Sequence, residues 1–176
     1  MTILKIARMG HPVLLRRADE VAHPGAPELQ KLIDDMTETL ADAGGVGLAA
    51  PQVHVSQRLF LYSVPEVRSE GEEDPPLAVQ VIINPALEPV DDEMIPRFEG
   101  CLSIPGMRGE VPRYKRVRYT GYDRNGQPVA GVASGFRAHV MQHEMDHLDG
   151  ILYPMRMTDM GRFGYEAEMV KYGVRT

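Results

Sequence analysis

The stretch SGFRAHVMQHEMDHLDG, residues 134–150, decides how this chain is read. His143 and His147 stand four residues apart, and Glu144 directly follows the first of them. On an α-helix such positions share one face, about 6 Å apart along the axis, so both imidazoles reach one divalent ion while the carboxylate leans over its open side. The implied chemistry is attack by a metal-activated water. A shuffled chain of this composition yields such a string roughly once or twice in a hundred trials, so the surroundings must carry weight. Ser134 is placed to N-cap a helix, Phe136, Val140, His143 and His147 fall on one stripe, and Gly150 stands where a C-cap belongs.

A length of 176 residues, 43% of them apolar and 25% charged, fits one domain, 1–176, with a sizeable core. The net charge of -6 and pI near 5.5 exclude non-specific nucleic-acid binding, which needs a basic surface to displace counterions. Residues 1–7 lack the charged start, long apolar run and small-residue cleavage site of a leader, and no run approaches eighteen apolar residues. A cytoplasmic chain making no membrane contact is expected. Cys101, the single cysteine, cannot form an internal disulfide, so it is a core thiol, a nucleophile or a metal ligand, and taken alone it reads first as core.

Outward from the motif, Pro27 precedes Leu29, Leu32, Ile33, Met36 and Leu40, a spacing of three and four that predicts an amphipathic helix ending near Gly44-Gly45. Strands are predicted at 58–63, 79–84 and 115–122, the last turning through Asp123-Arg124-Asn125-Gly126 into 127–132 as a hairpin. Residues 65–76, rich in Glu, Pro, Ser and Gly, read as an exposed, mobile loop too polar to pack. A short helix is expected at 165–172. The fold class is α+β, a mainly antiparallel sheet holding a central metal-binding helix.

A catalytic divalent ion normally takes three protein ligands and leaves a fourth position for water. The third is to be found among Cys101, a later carboxylate, His11, His23, His54 and His139. Cys101 is favoured, because Gly100 before it lets the backbone approach the ion and a short strand aims the thiol one way. A further stretch, GVGLAAPQ at 45–52, by itself reads as a tight turn or close packing.

Taken together and in this order, GVGLAAPQ, EGCLS at 99–103 and QHEMDH at 142–147 resemble the peptide deformylase family, and the intervening pattern fits from about residue 6 to 153. The resemblance implies the deformylase fold and removal of the formyl group from the N-terminal methionine of new polypeptides. It implies Cys101, His143 and His147 as metal ligands, Glu144 as catalytic acid/base, and Gln52 with the Leu102 N–H as oxyanion donors. Gly47 would belong to the same hydrogen-bond network, and the backbones at Val46 and Gly100 would hold the substrate as an added strand. Glu99 would pair with Arg113 in a structural role. One divalent ion is implied, Fe²⁺ by nature, with Zn²⁺, Ni²⁺ or Co²⁺ able to take the same ligands.

Counting back from His143 by three, four and seven places Val140, His139 and Phe136 along the wall of a methionine slot, facing Val46. His139 is expected to edge solvent beside it; His11, His23 and His54 read as surface or turn residues. Transient ribosome association belongs to the resemblance, but the tail at 165–176 is short and only mildly charged, unlike the basic C-terminal helix of many relatives. The acidic loop near Glu70 to Asp74 and the Leu152-Tyr153-Pro154 ending depart too. Rival readings are a zinc endopeptidase, which leaves Cys101 and 45–52 without a role, and a catalytically silent metal- or peptide-binding module, which would be marked by a lost base or ligand.

Overall fold

In the computed structural model, which describes residues 2–174, the periodic run after Pro27 forms α1, Pro27–Asp42, with the proline in the first turn where its missing N–H costs nothing. Leu29, Ile33, Met36 and Leu40 make its buried face and pack with Leu48, Leu59, Leu61 and Ile83. The chain then leaves through Gly44 into β1, Gly47–Ala49. A short 3-10 turn, Ala50–Val53, carries Gln52 inward and leads to β2, Leu59–Val64, whose run of large apolar residues is buried on both faces.

β3 spans Leu77–Pro89, longer than the predicted 79–84, because its far end continues past Asn84 to pair with another strand. β6, Arg116–Tyr122, and β7, Pro128–Ser134, form the expected hairpin. The five-stranded antiparallel sheet has the order β1-β2-β3-β6-β7. A second sheet, in the order β4-β5-β8, is built on a hairpin of β4, Met94–Cys101, and β5, Ile104–Tyr114, with β8, Phe163–Tyr165, at its edge. This second sheet had little sequence signal: Pro96 stands opposite Pro112, and charged residues break the two-residue alternation. The predicted C-terminal helix forms as α3, Glu166–Lys171, while residues 175 and 176 of the tail, like residue 1, lie outside the described part.

The metal-binding helix is α2, Gly135–Leu148. It packs on β1, β2, β7 and β5, so it lies between the two sheets. A single apolar stripe does not describe it, since Ala138, His139, Val140, Met141, His143, Glu144, Asp146, His147 and Leu148 are all buried. A helix enclosed on nearly every side has polar groups that must find partners inside the protein. Its C-terminal end follows expectation: Gly150 takes φ +74° and the Ile151 N–H donates back to the Asp146 carbonyl at 2.8 Å.

The N-terminal end corrects two expectations. Ser134 occupies the N-cap position but makes no cap hydrogen bond, because its hydroxyl donates to the Glu73 carbonyl at 2.6 Å. Asp74, sixty residues upstream, caps instead: its carboxylate accepts from the N–H groups of Phe136 at 2.8 Å and Arg137 at 3.2 Å. Gly135 permits this approach, since its φ is +57° and a Cβ there would lie 2.7 Å from the Asp74 carboxylate. Segment 65–76 is therefore a strap rather than a free loop. It is tied also by Glu70 to Arg97 on β4 at 2.7 Å, and Asp74 itself is only 1% exposed. Burial raises the Asp74 pKa, while its bonds to the helix N–H groups pull the other way. No helix among the described residues is long and apolar enough to cross a membrane.

Removing this cap should cost about 0.5–2 kcal/mol, the range for a capping side chain lost to alanine. Urea denaturation of Asp74→Ala should show that loss at neutral pH, and Asp74→Asn, which keeps an acceptor, should lose less.

Candidate active site

Cys101 ends β4, and a tight turn at Leu102-Ser103 leads directly into β5, with Cys101 opposite Ile104. The pairing register shifts between Glu99 and Cys101, a bulge of the kind that re-aims a side chain. The thiol thereby meets α2: Cys101 Sγ lies 3.2 Å from His147 Nε2. One ligand atom from each of Cys101, His143 and His147 falls within 4.8 Å of the others, close enough to share one ion. The two imidazole planes are inclined by 74°, and Tyr153 stacks against His143 with ring centroids 6.1 Å apart.

Burial acts to raise the Cys101 pKa, but the adjacent His147 and His143 outweigh it and hold the thiol well below its ordinary range. Glu99 shows the same contest. Burial favours its neutral form, yet His143, His139 and Arg113 keep it well below the usual carboxylate range. An ionised carboxylate only accepts, so the 2.6 Å contact between His143 Nδ1 and Glu99 Oε2 has the imidazole donating. That leaves His143 Nε2 as the ring nitrogen to meet an ion, on which it would give up its proton. A thiolate and two imidazoles, with one ring orientation fixed by a carboxylate, fit a first-row divalent ion that keeps an open fourth position.

Glu144 points to the same place from the next helix position. It is 4% exposed, its Oε2 has no partner among the described residues, and burial raises its pKa to about 7. Room for it exists because residue 47 is glycine: a Cβ there would lie 2.2 Å from Glu144 Oε1 and 2.7 Å from its Cδ. Gln52 is oriented at both ends. Its Oε1 accepts from the Ala49 N–H at 2.8 Å, and its Nε2 donates to Ser103 Oγ at 3.1 Å while standing 3.5 Å from Cys101 Sγ. An amide fixed in this way keeps N–H character directed at the thiolate side of the site. Leu102 directly follows Cys101 in the turn between β4 and β5.

β1 and β4 are edges of the two sheets, so each has a side that no strand of its own sheet pairs with. The Val46 carbonyl accepts from the Ser63 N–H at 2.9 Å, extending the β1–β2 pairing by one residue. At Gly100 a Cβ would come within 3.2 Å of the Arg108 guanidinium. Val140 belongs to a buried apolar cluster against which Val46 and Phe136 pack, and the Arg68 guanidinium from the strap lies 5.6 Å from the Phe136 ring centre.

His139 departs from expectation. Rather than edging solvent it is 7% exposed, with Nε2 2.8 Å from Glu99 Oε1, because the carboxylate draws the ring into the interior. Glu99 and Arg113 form the expected pair at 2.7 and 3.0 Å, but the pair also orients a metal-ligand candidate. Ser103 and Asp146 were missed as supporting residues. Asp146 joins Arg113 at 2.5 Å to Arg156 at 2.7 Å, and its position inside the His143–His147 spacing was the available signal. His11 and His54 are exposed, as expected, with ring centres 4.7 Å apart.

The Gly47 contact yields a sharp expectation. Gly47→Ala should drive the Glu144 carboxylate out of place and reduce turnover by about 100-fold or more, the scale of a lost acid/base group. Metal content measured on the same sample should remain at the parent level, since none of the three ligands is touched.

Known proteins supply the family. Residues 3–163 match the polypeptide deformylase family. Peptide deformylase 1 of Bordetella pertussis is 51% identical over 161 residues, covering 91% of this chain and 90% of its own length. Peptide deformylase 2 of Ralstonia nicotianae is 49% identical over 164 residues, covering 93% and 92%. The peptide deformylase structure from Thermotoga maritima has a TM-score of 0.81 at 36% identity, covering 90% of this chain and 100% of that one. A class I type b peptide deformylase of Acinetobacter baumannii, solved with Met-Ala-Ser bound, also has a TM-score of 0.81 at 36% identity, covering 89% and 99%. A match that runs through both sheets and the helix between them, at half identity to such relatives, shows that this chain belongs to the polypeptide deformylase family.

Proposed function

We propose that the chain is one catalytic unit, 1–176, that hydrolyses the formyl amide of N-formyl-methionyl peptides at the Cys101, His143 and His147 centre. The observation that carries the reading is Glu144, buried with one bare oxygen and a pKa raised to about 7, beside three ligand atoms within 4.8 Å of one another. A divalent ion on those ligands, Fe²⁺ in the cell with Zn²⁺, Ni²⁺ or Co²⁺ as substitutes, supplies Lewis acidity that acidifies water and polarises the formyl oxygen.

The chain's own residues do the rest. Glu144 takes the proton of the attacking water; Gln52 Nε2 and the Leu102 N–H stabilise the negative charge that develops on the formyl oxygen. Glu144 then returns the proton to the departing amine. The substrate enters as a strand between the open edges at Val46 and Gly100, so its backbone is read without its sequence. Val46, Phe136 and Val140 form the apolar wall for the methionine side chain. An endopeptidase or a silent module is not favoured: base and ligands are present together, and Gln52 is held against the thiolate. The setting we infer is the cytoplasm, with transient ribosome contact made without a basic C-terminal helix.

Protein purified without oxygen, with its metal measured, should release formate from formyl-Met-Ala-Ser and leave the acetylated peptide intact. Formate production by neither the Fe²⁺- nor the Co²⁺-loaded protein would refute the reading. Glu144→Ala should keep the metal and lose about 100- to 10,000-fold in turnover. Gln52→Leu should lose about 100- to 1,000-fold, again with metal bound.

The same base sets a pH dependence. Glu144 accepts a proton only when ionised, so kcat/KM should rise with pH on its acid limb. Its pKa of about 7 arises mainly from burial, and a nearby cation lowers it, so the limb should lie at or below about pH 7. Measured from pH 5 to 9, that limb should vanish in Glu144→Gln together with most of the activity.

A further inference from the structure

The geometry points to His139 as a positioning residue of the metal centre, acting through Glu99 on His143; this rests on the proposed metal reading of the site. His139 and His143 are one helical turn apart on α2 and so share a face. Both engage the same buried carboxylate, one at each oxygen: His139 Nε2 lies 2.8 Å from Glu99 Oε1, and His143 Nδ1 lies 2.6 Å from Oε2. Arg113 completes the set, with Nε 2.7 Å from Oε1 and its other nitrogen 3.0 Å from Oε2. Two carboxylate oxygens offer about four acceptor sites, and these four contacts use them.

Glu99 has to be held at this angle for a chemical reason. Its Oε2 must face His143 Nδ1 for that ring to keep the tautomer with a bare Nε2, the only form that binds an ion. Arg113 alone is a divided anchor, because its remaining nitrogen is pulled 2.5 Å from Asp146, which is itself tied to Arg156. His139 approaches Oε1 from the helix that also carries His143. A shift of the guanidinium toward Asp146 therefore cannot turn the carboxylate away from the metal ligand.

The ring geometry agrees with this part: His139 Nε2, 2.8 Å from a carboxylate oxygen, is the nitrogen placed to donate. Its Nδ1 is buried and has no partner among the described residues, as suits a bare lone pair better than a second buried N–H. A hydrophobic residue at this position would leave Glu99 one donor short in a site closed to water. A glutamine would return an N–H close to the place of Nε2.

Metal affinity tests the assignment separately from catalysis. The dissociation constant of Co²⁺ is measured by chelator competition on the full-length parent, His139→Leu and His139→Gln, with folding checked by near-UV circular dichroism and the Co²⁺ absorption bands recorded. His139→Leu should bind Co²⁺ about 10- to 100-fold more weakly, the usual cost of losing a partner of a ligating histidine, and its bands should shift. His139→Gln should recover to within a few-fold of the parent, with parent-like bands. Affinity in His139→Leu equal to the parent would overturn the assignment, as would a folded His139→Gln that binds as weakly as the leucine variant. If leucine prevents folding, a folded His139→Gln that binds Co²⁺ about 10-fold or more weakly than the parent overturns the assignment, and one within a few-fold of the parent supports it. Formate release by the parent is scored independently, so a failure of the deformylase reading is not confused with a failure here.

Discussion

The carboxylate of Glu99 is the interaction on which this structure turns. A charge removed from water must be paired and hydrogen-bonded, and Glu99 meets that demand with Arg113 on β5 and two histidines on α2. Arg113 repeats the demand on Asp146, which sits on α2 between the two metal-ligand candidates. The second sheet and the helix are thus joined by groups that cannot part without leaving a buried charge alone, at a cost of about 3–5 kcal/mol for one lost partner. Cys101 follows Glu99 by two residues on the strand this network fixes, so the thiol is delivered to the helix by the same constraint.

Around that frame, the proposed chemistry depends on which groups are left without partners. Most buried polar atoms in the site are used in holding one another, whereas Glu144 keeps an oxygen free. Excluding water raises its pKa into the range where a carboxylate can both take and give a proton near neutrality. The missing side chain at residue 47 makes the space, and Gln52 is turned by Ala49 and Ser103 so that its amide nitrogen faces the thiolate. These are features of pre-arrangement: the groups stand in place before substrate arrives, so little reorganisation is needed during reaction.

The strap at 65–76 shows where local composition misleads. Its polarity reads as solvent exposure, and most of it is exposed. Yet two of its acidic residues do structural work that depends on partners far along the chain, Asp74 at the start of α2 and Glu70 on Arg97. Ser134 stands at the cap position its residue type suggests, but its hydroxyl binds the strap's backbone and the distant carboxylate takes the helix N–H groups. The same strap brings Arg68 over Phe136, so it borders the apolar wall proposed for the methionine slot.

What the sequence determined by itself was the chemistry with a fixed local spacing. His143, Glu144 and His147 are placed by helical geometry alone, α1 by its apolar period, and the β6–β7 hairpin by its turn residues. Cys101 and Gln52 became legible through motifs whose order matches a family, which identified the partners of the helix but not how they are held. Tertiary structure decided the rest, because those features depend on groups distant in sequence and on exclusion of water. The second sheet lacked alternation and carried prolines, so its strands were hidden until they paired. His139 looks like a surface residue until Glu99, forty positions earlier, draws it inside. The proton affinity of Glu144 likewise comes from burial between two sheets, a property that no local stretch of residues encodes.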